Sequence, residues 1–225
     1  MEAKDFTVRK IRDFFCNGSL SMNSFYSELI KRAIKIDKEF MIFDSFEKET
    51  IEKQVNILCE DRKKGEIEGV LFGVPFLVSN DFKTSDIHID KRTECHDFRS
   101  SKNTTLIRRM LNEGAILLGK TKNSDIKNFF LTSEIKNPYN QKFSAGLSVA
   151  SSAVSVSTGI VPISVASQTN TPLITNAGYC GVYGYKPTRK LMPLTGVKTI
   201  SQTFDSVGFF SRDIDGLGLI AEIVN

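Results

Sequence analysis

At 225 residues, 40% of them hydrophobic and 25% charged, the chain carries enough apolar material for a sizeable core and is globular, not disordered. Lys plus Arg number 30 against 26 Asp plus Glu, a net charge of +4 with both signs scattered, and no basic cluster is interleaved with aromatics, so nucleic acid is not an expected partner. Cys16, Cys59, Cys95 and Cys180 are spread without CxxC pairing, no apolar run reaches membrane-spanning length, and MEAKDFTVRK is too charged for a signal peptide; a soluble, cytoplasmic protein is expected, with an organelle left open and no membrane partner.

Thr7 is placed to cap a helix in which Val8, Ile11 and Phe14 or Phe15 recur at helical spacing, ending near Asn17-Gly18. Ser21 opens a second, running through Phe25, Leu29, Ala33 and Ile36, with Glu28, Lys31, Arg32 and Lys35 on its other face. A third spans Phe46 to Lys64, with Ile51, Val55 and Leu58 on one side. These helices carry no assigned chemistry.

From Gly69 the pattern changes to short apolar runs bounded by Gly and Pro, as buried strands require. Gly73 to Val78 reads as a core strand, Ser101 to Asn112 as a helix with Leu106, Ile107, Met110 and Leu111 inward, and Ala115 to Leu118 as the next strand. The following Gly119-Lys120-Thr121 lacks the upstream glycine of a phosphate loop, since Gly114 is one residue out of place. Beyond lies Asn137 to Pro187, rich in Ser, Thr, Gly, Ala and Val and almost uncharged. Small side chains let backbones approach closely, as around a buried site, and the density of Val and Ile argues against a flexible linker. Leu194 to Val197 and Ser206 to Phe210 are strand-like; Asp213 to Val224 reads as a capped helix burying Ile214, Leu217, Ile220 and Ala221.

Tyr179-Cys180-Gly181-Val182-Tyr183-Gly184-Tyr185-Lys186-Pro187-Thr188 closely resembles the F-C-G-V-x-G-x-K-P-T element of the amidase signature family, which hydrolyses or transfers amides with a Ser-Ser-Lys triad and includes the A-type components of amidotransferases. Upstream, Gly73 to Asp81 is similar to that family's G-I-P-x-x-V-K-D-N, and the block ending in Gly119-Lys120-Thr121 to its D-A-x-L-V-R-R-L-x-x-x-G-A-x-x-L-G-K-T-N. Phe204, Asp205, Gly208, Arg212, Asp213 and Asp215 follow its S-x-D-x-x-G-P-x-x-R-x-x-x-D, with Phe209 in place of Pro. The resemblance implies an α/β fold, a mixed β-sheet flanked by helices, truncated to the N-terminal half. It implies one amidase-like domain over 1–225, with N-terminal helices in 1–66 and a partial α/β core in 67–225.

The same resemblance places the triad. Ser79 falls where the family has its lysine base, and a serine hydroxyl cannot act as a base near neutrality. Lys83 is the nearest substitute, but lies about 13 Å farther along an extended strand. Ser148 holds the place of the intermediary serine, yet the family's GGSSGGS has become Ala145-Gly146-Leu147-Ser148-Val149-Ala150-Ser151-Ser152. That serine sits on a cis peptide bond in the family, costly without proline, so the isolated hydroxyl reads as structural. A gapless count from Cys180 sets Pro172 in the nucleophile's position and Ile174 in that of an arginine within GTDTGGSIRIPA. Proline has neither a hydroxyl to attack a carbonyl nor an N–H to hold an oxyanion. Thr169, Asn170 and Thr171, in the turn before it, are the implied substrate contacts.

Other hydroxyls, Thr175, Ser164 and Ser167 among them, would each need a base. His88 and His96 lie in the polar stretch Asp86 to Ser101; a Thr/His pair, or a metal held by Cys95 and His96 or Asp90 and His96, stands as an alternative to a solvated loop. No cofactor and no metal are expected. The implied function is a catalytically inactive amidase-like protein acting as a structural, regulatory or binding subunit. The alternative is an active amide hydrolase or glutamyl-tRNA amidotransferase-type subunit with relocated or partner-completed residues. Because a half-sheet leaves an open edge and an uncovered face, a homo-oligomer or a second subunit completing the fold is the expected partner.

Overall fold

Helix capping organises the N-terminal region. In the computed structural model, which describes residues 6–65, 69–85, 102–123 and 135–224, the Thr7 hydroxyl accepts from the Lys10 amide and α1 runs Val8–Cys16. Ser21 accepts from the Ser24 amide and opens α2, Met22–Phe40, which stops where Met41 turns left-handed. Their inward faces meet through aromatic edges: Phe15 and Phe25 lie 5.2 Å apart at 89°, and Phe25 meets Tyr26 at 5.2 Å. Tyr26 is fully buried, and its hydroxyl donates at 2.7 Å to the Gly73 carbonyl, just ahead of the central strand. Burial alone pushes that phenol well above its ordinary pKa.

Between α2 and α3 (Lys48–Lys63) lies a strand absent from the sequence reading, β1 (Phe43–Phe46). Four residues are too few for alternation to separate a strand from a loop. The other strands are β2 (Pro75–Ser79), β3 (Ile116–Thr121), β4 (Ile163–Gln168), β5 (Tyr183–Tyr185) and β6 (Ser206–Ser211). They form one sheet in the order β1-β3-β2-β4-β6-β5. β2 runs parallel to both β3 and β4; the outer pairs β1/β3, β4/β6 and β5/β6 are antiparallel. This is the mixed α/β sheet that the family resemblance implies. Every residue of β2, β3 and β6 is buried, so both faces of the sheet are covered along these strands, and the apolar stretches Phe76 to Val78 and Ile116 to Leu118 fill that interior.

Helices α4 (Thr105–Asn112), α5 (Ala150–Ser157), α6 (Pro172–Cys180) and α7 (Ile214–Val224) complete the order. α5 is the most enclosed: Ala150 through Val156 are all buried, and their small side chains let the helix lie close to the strands. Its C-terminal carbonyls are held by arginines. Arg212 donates to Val156 and Ser157 at 3.0 Å each, and Arg32 donates to the Gly159 carbonyl, where cations suit the helix's negative end.

Four expectations need correction. The third helix begins at Lys48, because Phe46 ends β1, and the helix expected from Ser101 begins at Thr105, behind its Thr104 cap. Leu194 to Val197 forms no strand; Val197 makes a single antiparallel bridge with Phe82. Ile214, the first residue of α7, is 66% exposed and Leu217 and Ala221 are half-buried, while Ile220 is buried. No helix among the described residues is long and apolar enough to cross a membrane.

Candidate functional site

The parallel strands β2, β3 and β4 end side by side, and a buried polar network ties their ends together. Ser79, the last residue of β2, is fully buried and donates its hydroxyl proton to Asp81 Oδ1. Ser167 on β4 donates to the other carboxylate oxygen, Oδ2, and Asn123 Nδ2 donates to Oδ1 at 3.1 Å. The preceding Asn80 gives its backbone N–H to the Thr121 carbonyl at 3.0 Å and its side-chain amide to Asp44 at 3.2 Å. Lys120, also fully buried, donates to the Phe82 carbonyl at 2.6 Å. Hydrogen bonds from two hydroxyls and one amide to the same carboxylate are charge-assisted and fix the three donors around Asp81. Lys83, the nearest substitute base, spends its backbone on the Gly196 carbonyl and the Thr104 amide.

The loop bearing Ser148 is fixed by α6. Asn176, fully buried, accepts the Leu147 N–H at 2.7 Å and returns its own amide to the Leu147 carbonyl at 3.4 Å. Gly146 makes this possible: its φ is +125°, and a Cβ there would stand 2.1 Å from Asn176 Oδ1. At the far end of the helix the Cys180 thiol points to the Ala145 carbonyl at 3.5 Å, and burial pushes its pKa up to about 12. The peptide bond before Ser148 is trans, and its half-buried hydroxyl takes no hydrogen bond among the described residues. One turn into α5, Ser152 shares a 2.7 Å hydrogen bond with Thr121 at the end of β3.

Pro172 is the first residue of α6 and is buried; Asn170 and Thr171 before it are exposed. Thr169 is half-buried and donates at 2.6 Å to Asp205, whose second oxygen accepts the amides of Ile200 and Ser201. Gln168 braces the turn from beneath, donating to the Asn170 carbonyl at 2.7 Å and accepting the Leu173 N–H at 3.2 Å. Pro172 begins α6 and Asn176 stands one helical turn farther on, so this turn and the Ser148 loop are both attached to α6. Ser79 reaches the same strand end through Asp81 and Ser167. No hydrogen bond among the described residues joins Ser79 to Ser148.

Of the alternative hydroxyls, Ser164 donates to the Leu77 carbonyl at 3.4 Å, and Ser167 and Thr169 are held as above. His88, Asp90, Cys95 and His96 lie outside the described residues. Among the described residues no group of three or more His, Cys, Asp or Glu is placed to hold a metal. Sequence reasoning missed Asp81, Ser167, Asn123 and Asn176 as organising residues. One signal was visible: where the resembled motif has Asp-Asn after its lysine, this chain has Asn80-Asp81 after Ser79, moving the carboxylate by one position.

Comparison with known proteins gives the family and the fold. The Amidase family profile matches residues 25–225, and the chain belongs to the amidase signature family. It is 26% identical over 234 residues to the A component of the glutamyl-tRNA(Gln) amidotransferase of Natranaerobius thermophilus, covering 100% of this chain and 47% of the relative. The corresponding component from Staphylococcus haemolyticus is 25% identical, with 97% of this chain and 46% of the relative covered. The chain therefore spans about half the length of the curated relatives it matches. Among solved structures, one from a vestigial protein complex described as revealing the origins of an s-triazine catabolic enzyme superposes with a TM-score of 0.89. The match has 22% identity over 98% of this chain and 50% of the other. The peptide amidase of Stenotrophomonas maltophilia superposes at 0.84, with 21% identity over 96% of this chain and 47% of the other.

Proposed function

We propose that this chain is a catalytically inactive amidase-fold protein, a single amidase-like unit over residues 1–225. It acts in the cytoplasm as a structural, regulatory or binding subunit. The observation that carries the reading is the end of β2, where the position of the family's base is a serine, a group that is no base near neutrality and whose hydroxyl donates to a carboxylate shared with Ser167. Pro172 at the nucleophile's position supports it, because no hydroxyl and no N–H stand there. The match to about half of each relative supports a partner, either another copy of the chain or a different polypeptide.

A second reading, an active amide hydrolase or amidotransferase component, is favoured by one feature: the Ser148 hydroxyl has no hydrogen-bond partner among the described residues. One experiment separates them. The purified chain is incubated with simple primary amides and with a fluorophosphonate probe, beside Ser148→Ala. The inactive reading expects no turnover and no labelling; labelling abolished by Ser148→Ala would establish the second. Light scattering tests the partner: a stable monomer that binds no hydrophobic dye counts against one.

A further inference from the structure

We propose that the cavity between the start of α1 and the first half of α2 binds a small amphipathic carboxylate, with its apolar body on Phe25 and Leu29 and its head on Arg32. This site goes beyond the reading above and does not rest on it.

The cavity measures about 420 Å³, within the range of small-molecule sites. Phe25, Leu29 and Arg32 recur at i, i+4 and i+7, so they share one face of α2. Ser24 and Glu28, exposed one position around the helix, border the opening. Leu20, in the turn before α2, lines the cavity too, as does Phe6, just ahead of α1. Phe6 meets Phe25 edge-on at 5.4 Å, and Phe25 meets Phe15 at 5.2 Å; closing the cavity by collapse would break this chain of aromatic contacts. From Phe25 to Arg32 the helix advances about 10 Å, room for an extended chain of medium length.

The charge in this apolar setting is uncompensated. Arg32 is half-buried, and its guanidinium carbon stands 4.7 Å from the centre of the Phe6 ring. Glu28, one turn earlier, pairs instead with Lys31 at 2.8 Å, and among the described residues no carboxylate forms an ion pair with Arg32. Its guanidinium donates to the Gly159 carbonyl, and its buried Nε makes no hydrogen bond. Burial, and then the like charge of Arg212, hold Arg32 below its ordinary pKa. A guanidinium does not lose its proton in a protein, so relief comes from an anion.

An amphipathic carboxylate answers both features. Its chain takes the apolar surface of Phe25 and Leu29 out of water, and its planar head suits a guanidinium. One Nη of Arg32 is already committed to Gly159, which favours a singly charged head over a phosphate.

The test is calorimetric titration of the full chain with octanoate, octanol, octylamine and acetate. Octanoate is expected to bind about tenfold more tightly than octanol or acetate, the scale of one charge-assisted contact, and octylamine not at all. Arg32→Gln should bring octanoate down to the affinity of octanol, and Arg32→Lys, which keeps the charge, should recover most of the difference. Because Arg32 also holds the end of α5, NMR of the unaltered chain gives a second readout: nuclear Overhauser contacts from the octanoate chain to Phe25 and Leu29. No octanoate binding, binding no tighter than octanol's, affinity untouched by Arg32→Gln, or contacts confined to other residues overturns the proposal.

Discussion

The turns that follow the parallel strands β2 and β4 sit side by side yet are built in opposite ways. After β2, Ser79, Asn80, Asp81 and Phe82 are all buried, and a carboxylate at the centre gathers two hydroxyls and an amide. After β4, Asn170 and Thr171 are exposed and the chain enters α6 at a proline. One site has been filled and the other stiffened. The difference sets an expectation for the inactive reading proposed above: restoring a hydroxyl at the stiff turn alone should not restore chemistry, since Ser79 stands where that reading needs a base.

The comparison breaks most visibly at Asp81. Asp81→Ala leaves Ser79, Ser167 and Asn123 without their acceptor in a buried place, and the expected loss is about 3 kcal/mol, given that hydrogen bonds to charged groups contribute about 1.5–3 kcal/mol each. Urea unfolding measures it, and a loss below about 1 kcal/mol would mean the carboxylate does not organise this turn. Asn176→Ala should cost about 2 kcal/mol, because both main-chain groups of Leu147 lose a buried partner. Hydrogen exchange at the Leu147 amide is expected to quicken well beyond that at the Leu173 amide, which Gln168 holds independently.

Cys180 offers a smaller effect, silent at neutral pH. Its thiol is raised from an ordinary 9.0 to about 12 in the fold, so the folded state holds that proton more tightly than the unfolded state. The contribution is complete below pH 9 and is lost between pH 9 and about 12. Unfolding midpoints of the wild type should fall across that window, and Cys180→Ala should fall less steeply. Native protein at pH 8 should resist alkylation at Cys180 while Cys16 and Cys59, half-buried, react. The smallest effect is expected at Pro172→Ser: stability within about 1 kcal/mol, and no gain of fluorophosphonate labelling. Labelling by that single variant would show that the filled turn is not what silences the site.

Much of the fold was legible because its signals are local. Thr7 and Ser21 cap where their positions relative to the apolar periodicity require, and Pro75 to Val78 is apolar without interruption because β2 is covered on both faces. The segment Tyr179 to Thr188 announced the family, and the helix that leads into it does lie against the Ser148 loop through Asn176 and Cys180. What stayed hidden depends on register between distant segments. Ser167 meets Asp81 across 86 positions of sequence, and nothing near either residue specifies the pairing. Lys120 was weighed only within the Gly119-Lys120-Thr121 pattern; its buried amine donates to the Phe82 carbonyl after β2, a contact set by the pairing of β2 with β3. β1 escaped notice because two flanking helices dominate its surroundings.

The position of β2 at the centre of the sheet also sets the order in which the protein can be made. Its neighbours are β3, encoded some forty residues later, and β4, whose own outer neighbour β6 ends at Ser211. At synthesis rates of about 5–20 residues per second, β2 leaves the ribosome on the order of ten seconds before the last strand that closes its surroundings. Until β3 emerges, Phe76, Leu77 and Val78 have no strand to pair with, and α1 to α3 are the helices already made that can cover them.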